Sequence, residues 1–278
     1  MQTISPKSFP TSLRNLSRGQ LLLPSRRWYH QAPRPSVFRD HRLLPYTFIA
    51  ICCGGCALGY YAQNQSQSGG DTRLLDLIHK HAAYSLANIR EGRYYTMITS
   101  SFMHFSPIHL TCNMYGLYQL GPLMTMYFGP ATFLVIWIGG SIACDGATLY
   151  WDSMKEKAAA KFVQLKSAGG GMSNIWRLNR NADLQNLQTH AIGIGASGSV
   201  LSMLAVFVGM MPTHKIMLFP VPLPMPAWIA ALGFVAGSAY CLRENYLPAI
   251  GHAGHLGGLG FGLAYYIVRL RPWLRRFR

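Results

Sequence analysis

Four polar side chains stand in stretches of the chain that otherwise carry almost no charge. Ser197 lies in Gly193-Ile194-Gly195-Ala196-Ser197-Gly198, His255 closes Gly251-His252-Ala253-Gly254-His255, and His109 and Asn113 are four residues apart. A serine hydroxyl is a weak nucleophile until a base takes its proton, and an imidazole titrating near neutrality suits that task. Acyl transfer also needs donors for the oxyanion. The Asn113 amide and the His109 ring can both donate, and on a helix they share a face. The backbone N–H of Ser197 adds another donor. No carboxylate is placed to complete a triad, so a Ser–His dyad is the simplest chemistry these residues support. Spacing alone leaves other readings open. A serine among glycines also serves packing, and a histidine in an apolar run also serves as a hydrogen-bonded core residue or in a proton pathway. His252-x-x-His255 has the spacing of a metal pair but no firmly placed third ligand, so no metal is assigned.

The elements that must position these groups are apolar helices. A crossing of the hydrocarbon core takes about 20 apolar residues, and six stretches approach that length: 43–62, 102–128, 131–151, 191–211, 227–242 and 249–268. The expected fold is all-α, a polytopic membrane protein built as a six-transmembrane-helix bundle. With both termini on one side, spans two, four and six run in the same direction. Ser197 and His255 then each lie about six residues into a span, roughly 10 Å below the outer surface at 1.5 Å per residue. His109 and Asn113 fall at a similar level, so three helices bring four polar groups into one layer. Gly251, His255, Gly258 and Gly262 share a helix face, and small residues at that spacing let helix backbones approach. Asp145, Ser199, His104 and His252 are the other polar groups noted within the spans. His104 and His252 are expected to shape the site rather than to do chemistry.

Between the spans, Leu74, Leu75, Ile78, Ala82, Leu86 and Ile89 recur at helical spacing and predict an amphipathic interfacial helix within 63–101. Residues 152–190 are polar and include Gly169-Gly170-Gly171, which reads as a flexible insertion. The five prolines of the Met211–Pro226 link (Pro212, Pro220, Pro222, Pro224 and Pro226) predict an extended connection. Cys53-x-x-Cys56 has redox spacing but sits in apolar sequence and reads as packing.

Composition excludes much else. The chain of 278 residues is 50% hydrophobic and only 12% charged, against about 25% charged in an ordinary soluble protein. Its net charge of +16 would suit a nucleic-acid binder if it were spread over a face. Instead most of it is terminal. Residues 1–42 hold eight bases and one acid, and the last ten residues hold five arginines and no acid. No nucleic-acid partner is expected. The Arg- and Ser-rich, acid-poor start reads as a mitochondrial transit peptide and basic segment over 1–42. A membrane domain over 43–270 and a basic tail over 271–278 follow.

At these residues the sequence resembles the rhomboid intramembrane serine proteases over roughly 43–270. Gly195-Ala196-Ser197-Gly198 is similar to the family's nucleophile motif. Gly251-His252-Ala253-Gly254-His255-Leu256-Gly257-Gly258 resembles its last-span histidine motif, and His104-Phe105-Ser106-Pro107-Ile108-His109 with Asn113 resembles its oxyanion motif. The transit-like start and Pro-rich link resemble the mitochondrial, presenilin-associated branch. The resemblance implies Ser197 as nucleophile, His255 as general base and acid, and His109 and Asn113 as oxyanion donors. Gly195, Gly198 and Gly258 would serve the motif and its packing. It implies an endopeptidase, without cofactor, acting in the lipid bilayer of the mitochondrial inner membrane on single-pass membrane proteins, with its site open to the intermembrane space. A non-catalytic rhomboid-like adaptor and a proton or solute transporter are the alternatives. Two positions depart from the pattern: Glu91-Gly92-Arg93-Tyr94-Tyr95 stands where many members carry Trp-Arg, and Leu201 stands where an aromatic often stacks on the catalytic histidine.

Overall fold

The computed structural model describes residues 43–167, 192–244, 246–247 and 250–276. The expected transit peptide (1–42) and the rest of the expected insertion (168–190) lie outside the described residues. The architecture is mostly helical. It opens with α1 (Leu43–Gly69), which runs past the expected end at 62 because no breaker intervenes before Gly70, whose φ of +69° ends it. Three short helices follow, α2 (Arg73–His81), α3 (Leu86–Arg90) and α4 (Thr96–Thr99), and a 3-10 turn over Ser100–Phe102. The single amphipathic helix expected through 74–89 is thus broken. Ser85 caps α3 by accepting the Asn88 N–H at 3.1 Å, and Tyr84 just before it leaves the helix to pair with Gly193.

A helical run over Pro107–Ser167 is interrupted at Gly129 (φ 82°, ψ 169°), giving α5 (107–128) and α6 (130–167). Unbroken, Gly116 and Gly140 would lie roughly 36 Å apart along it at 1.5 Å per residue. Yet a Cβ on Gly116 would stand 2.6 Å from Val200, and one on Gly140 would stand 2.3 Å from the hydroxyl of Ser202, two residues further along the next helix. The chain therefore reverses at Gly129. Pro130, which cannot continue a preceding helix but is well suited to begin one, starts the return. α5 begins at Pro107 rather than at 102, since the turn at 100–102 and the loop to Ser106 precede it. α6 continues through 152–167, part of the stretch read from sequence as a flexible insertion. That segment, Asp152-Ser153-Met154-Lys155-Glu156-Lys157-Ala158-Ala159-Ala160-Lys161, is made of helix formers, and polarity alone does not unwind it.

Next come α7 (Ser197–Met210), a hairpin of β1 (Lys215–Leu218) and β2 (Val221–Pro226), and α8 (Ala227–Glu244). α9 (His252–Tyr265) continues through a π-helical turn, Tyr266–Leu270, into α10 (Arg271–Arg275). The Pro-rich link is extended, as its composition predicts. It also forms an antiparallel pair, with Lys215 opposite Pro226, Ile216 opposite Met225 and Leu218 opposite Val221, so the fold is not purely helical. Among the described residues two helical runs, Leu43–Gly69 and Pro107–Ala158, are long and apolar enough to cross a membrane, and Ser197–Met210 is a shorter apolar helix.

α7 is the centre of the bundle. It packs on the α5–α6 hairpin, on α9 and on α8, and most of its side chains are buried. An aromatic cluster holds α1 to this core: Phe48 stands edge-on to Trp137 at 4.9 Å and to Phe133 at 5.3 Å, with Phe102 beside them. Such pairs add to the burial of their own large apolar areas.

Candidate functional site

The segment that leads into Ser197 is extended, not helical. The expected span from 191 starts its helix only at Ser197, with Ala196 as the N-cap residue. The cause is local. Gly195 has φ +122°, a conformation open to glycine and rarely to other residues, and the residues before it are pinned elsewhere. Tyr84 and Gly193 exchange backbone hydrogen bonds of 3.0 and 2.9 Å, and the Gly195 N–H donates to the Ser100 carbonyl at 2.9 Å. Ser100 is held in turn, its hydroxyl donating to the buried Asp145 carboxyl at 2.9 Å. Asp145 thus bears on the segment before Ser197 through Ser100, and it also lines the cavity that holds Ser197.

Ser197 thus begins α7. The first intrahelical bond on this turn runs from the Val200 N–H to the Ala196 carbonyl, so the N–H groups of Ser197, Gly198 and Ser199 lack the usual partner four residues back. Unpaired N–H groups and the helix dipole give that end a partial positive charge.

α9 meets α7 backbone to backbone. A Cβ on Gly258 would stand 2.6 Å from the Gly198 carbonyl oxygen, and one on Gly262 would stand 2.1 Å from that of Ser202. The Ser202 hydroxyl lies 2.7 Å from the Gly258 carbonyl and 2.8 Å from the Gly198 carbonyl. This contact fixes His255, in the first turn of α9, opposite the start of α7. The ring of His255 stands edge-on to Phe234 of α8 at 6.4 Å and to His252 at 6.0 Å. An aromatic does accompany this histidine, but it comes from α8. Leu201, at the position where the resemblance leads one to expect it, is buried in the core instead.

His109 and Asn113 approach from α5. A Cβ on Gly195 would stand 2.4 Å from His109 Cε1 and 2.9 Å from its Nε2, so the imidazole lies against the bare face of Gly195. Asn113 is held by His104. The Asn113 Nδ2 is 3.0 Å from His104 Nε2, and the Ala196 N–H donates to the same nitrogen at 3.3 Å. Because Nε2 accepts from a backbone N–H, the amide presents its NH2 to it, which leaves a second Nδ2 hydrogen free. His104 is fully buried and joins α5 to the segment before Ser197.

Ser197, His255, His109 and Asn113 line one cavity of about 610 Å³, with Gly195 and His252. No Ser197–His255 hydrogen bond closes in this structure; catalytic hydrogen bonds commonly tighten only when substrate binds. Among the described residues no group of three His, Cys, Asp or Glu side chains is placed to hold a metal. Cys53 is exposed, Cys52 and Cys56 are buried, and all three are free thiols.

Tyr84, Phe234 and Gln119 also line the cavity, and the sequence reading singled out none of them. Tyr84 is buried, and burial pushes its phenol well above the ordinary tyrosine range. Only Gln119 left a signal, a second amide after Asn113 in an otherwise largely apolar helix.

The polar groups gather near the starts of helices that carry glycines, and the sequence that holds them matches a known family. The model of the Rhomboid domain matches residues 91–272, most of the chain, and the chain belongs to the rhomboid family. Its relatives bear mitochondrial names. An uncharacterized mitochondrial rhomboid protein of Schizosaccharomyces pombe is 25% identical over 92% of this chain and 72% of its own length. RHOMBOID-like protein 12, mitochondrial, of Arabidopsis thaliana is 28% identical, with 69% of this chain and 51% of the relative aligned. Rhomboid protein 1, mitochondrial, of Saccharomyces cerevisiae is 26% identical, with 61% of this chain and 40% of the relative aligned.

Proposed function

We propose that the chain is an intramembrane serine endopeptidase that cleaves single-pass membrane proteins in or beside their transmembrane segment. The observation that carries this is the shared cavity, into which three helices bring a serine, a histidine and two side-chain donors. The reading places six spans in the mitochondrial inner membrane, with the cavity open to the intermembrane space, in line with the names of the relatives. Short α7 counts among the six because neighbouring helices surround it.

In this mechanism His255 takes the Ser197 hydroxyl proton as Oγ attacks the scissile carbonyl. The carbonyl electrons move to oxygen, where Asn113, His109 and the N–H groups at the start of α7 donate to the oxyanion. Collapse breaks the C–N bond, and His255 passes its proton to the leaving amine. Water then gives a proton to His255 and attacks the acyl-enzyme, and Ser197 leaves with that proton restored. Ser197 is half-buried in the cavity, and water must reach it there for this second step. The substrate must unwind locally first, since a helix shields its own peptide bonds.

The test is Ser197→Ala in purified, membrane-inserted protein with a model single-pass substrate. The expected result is loss of cleavage with the helical content unchanged. Cleavage at the wild-type rate would overturn the proposal. Failure of folded wild-type protein to label at Ser197 with a serine-directed phosphonate would favour a non-catalytic adaptor.

A further inference from the structure

One buried histidine at the site has no part in the mechanism above. His252 is the first residue of α9 and lines the cavity together with His255. It is buried, and its Nε2 has no hydrogen-bond partner among the described residues. Buried polar atoms are almost always paired, so an orphan of this kind points to a partner that the resting site has not yet supplied.

The backbone in front of α9 decides what that nitrogen can do. The His252 ring hydrogen-bonds the Leu247 carbonyl. A carbonyl only accepts, so the ring nitrogen on that side carries the proton. Nε2 is the nitrogen without a partner, so the proton sits on Nδ1 and Nε2 is a bare acceptor. The turn that makes this bond is unusual. Leu247 has φ +51°, in the left-handed region that leucine rarely adopts, and its carbonyl also accepts the Ile250 N–H at 3.0 Å. Strain of this kind persists only where the surroundings fix it, and it gathers at functional sites.

The ring beside this acceptor is His255, one turn further on and edge-on at 6.0 Å between centres. Phe234, the other aromatic at His255, offers no acceptor, and the buried carboxyl of Asp145 is engaged by Ser100. His255 must meet Ser197 with one nitrogen bare and the other protonated. An acceptor for the protonated nitrogen selects that form and steadies the imidazolium that follows. Two imidazoles joined nitrogen to nitrogen stand roughly 5 Å apart between centres. A shift of about 1 Å therefore closes the bond, on the scale by which catalytic hydrogen bonds tighten when substrate binds.

We infer that His252 is a positioning residue for His255: its Nε2 accepts the His255 N–H that points away from Ser197, in the role a carboxylate plays in a serine triad. The inference rests on the proposed protease activity. No proton crosses to His252, which keeps its own Nδ1 proton throughout. The proton taken from Ser197 stays on His255 until the amine leaves.

The experiment uses full-length protein in lipid and compares wild type with two variants. His252→Phe fills the space and has no acceptor. His252→Gln carries an amide that can donate to Leu247 and accept from His255. Two readouts are taken: kcat and KM for a single-pass substrate, and nitrogen NMR of isotope-labelled histidine in protein whose Ser197 carries a phosphonate, an adduct that holds His255 as imidazolium. Wild type is expected to show a scalar coupling across the hydrogen bond between His252 Nε2 and a His255 nitrogen. His252→Phe is expected to lower kcat roughly ten- to a hundredfold with KM little changed, the scale of one hydrogen bond to a charged group, and His252→Gln to recover part of it. Absence of the coupling in labelled wild type would overturn the inference, as would wild-type kcat in His252→Phe or a loss confined to KM. Equal losses in the two variants would make His252 a packing residue. If His252→Phe does not fold, the wild-type spectrum and His252→Gln decide by the same criteria. Wild type that neither cleaves nor labels would sink the protease reading itself, whereas wild type that does both without the coupling sinks this inference alone.

Discussion

Tyr84 and Gly193 are paired as two residues of a miniature antiparallel sheet, far apart in sequence and joined by hydrogen bonds in both directions. The ring of Tyr84 also lies against Gly193, where a Cβ would stand 1.8 Å from Cε1. This pair ties the connection between α1 and α5 to the extended segment that leads into Ser197, so the position of the serine depends on a loop remote from it in sequence.

The pairing carries a pH signature. The Tyr84 phenol titrates well above its ordinary value of 10.0 because it is buried. Its folded pKa is raised, so its contribution to stability is full below pH 10 and is lost as pH rises from there toward the folded value. The thermal midpoint of wild type is expected to fall more steeply above pH 10 than that of Tyr84→Phe, as measured by circular dichroism in detergent. Parallel curves would contradict the assignment.

Gly195 is needed twice, for its positive φ and for its contact with His109. Gly195→Ala is expected to cost roughly 1–3 kcal/mol from backbone strain alone, and its new methyl group must push the His109 ring aside. Substrate cleavage should fall at least about a hundredfold, the scale of losing one oxyanion donor. Labelling of Ser197 by a phosphonate should fall with it, because the strand that sets the serine is displaced.

His104 is a positioning residue. His104→Leu leaves the Ala196 N–H and the Asn113 amide without their buried acceptor, at about 1–3 kcal/mol for each group. His104→Gln offers an oxygen acceptor in its place. Cleavage kinetics are expected to show a lower kcat with little change in KM for the leucine variant, and partial recovery of kcat for the glutamine variant. Equal loss in both would point to packing instead of hydrogen bonding.

The sequence made some of this site legible and hid the rest for physical reasons. The face of His255, Gly258 and Gly262 could be read because it depends on the spacing within one helix, and the structure brings Gly258 and Gly262 against α7, while Gly251 precedes the helix as its N-cap residue and faces Thr148 and Tyr84 instead. The start of α7 could not. It depends on the φ of Gly195 and on Tyr84 and Ser100, which are remote in sequence. His104 was visible as a polar residue, but its role needs the approach of a strand that comes 92 residues later. The helical continuation of α6 through 152–167 was available from residue propensities and was obscured by its polarity. The interrupted amphipathic helix shows the reverse: its apolar spacing was right, and Ser85 and Tyr84 broke it.

The dimensions of α7 bear on how such a molecule can be made. At 14 residues it rises about 21 Å, short of a hydrocarbon core of about 30 Å, and its neighbours include α8 and α9, which are synthesised after it. A newly made α7 lacks the length to lodge in lipid alone, and beside the earlier α5–α6 hairpin it still lacks two of the helices that will enclose it. The ribosome delivers the serine before the histidine, so the helix must wait, half-housed, for the end of the chain. Its final lodging and the meeting of the two residues then become a single event in biogenesis, and a truncated chain that lacks α9 is left without either.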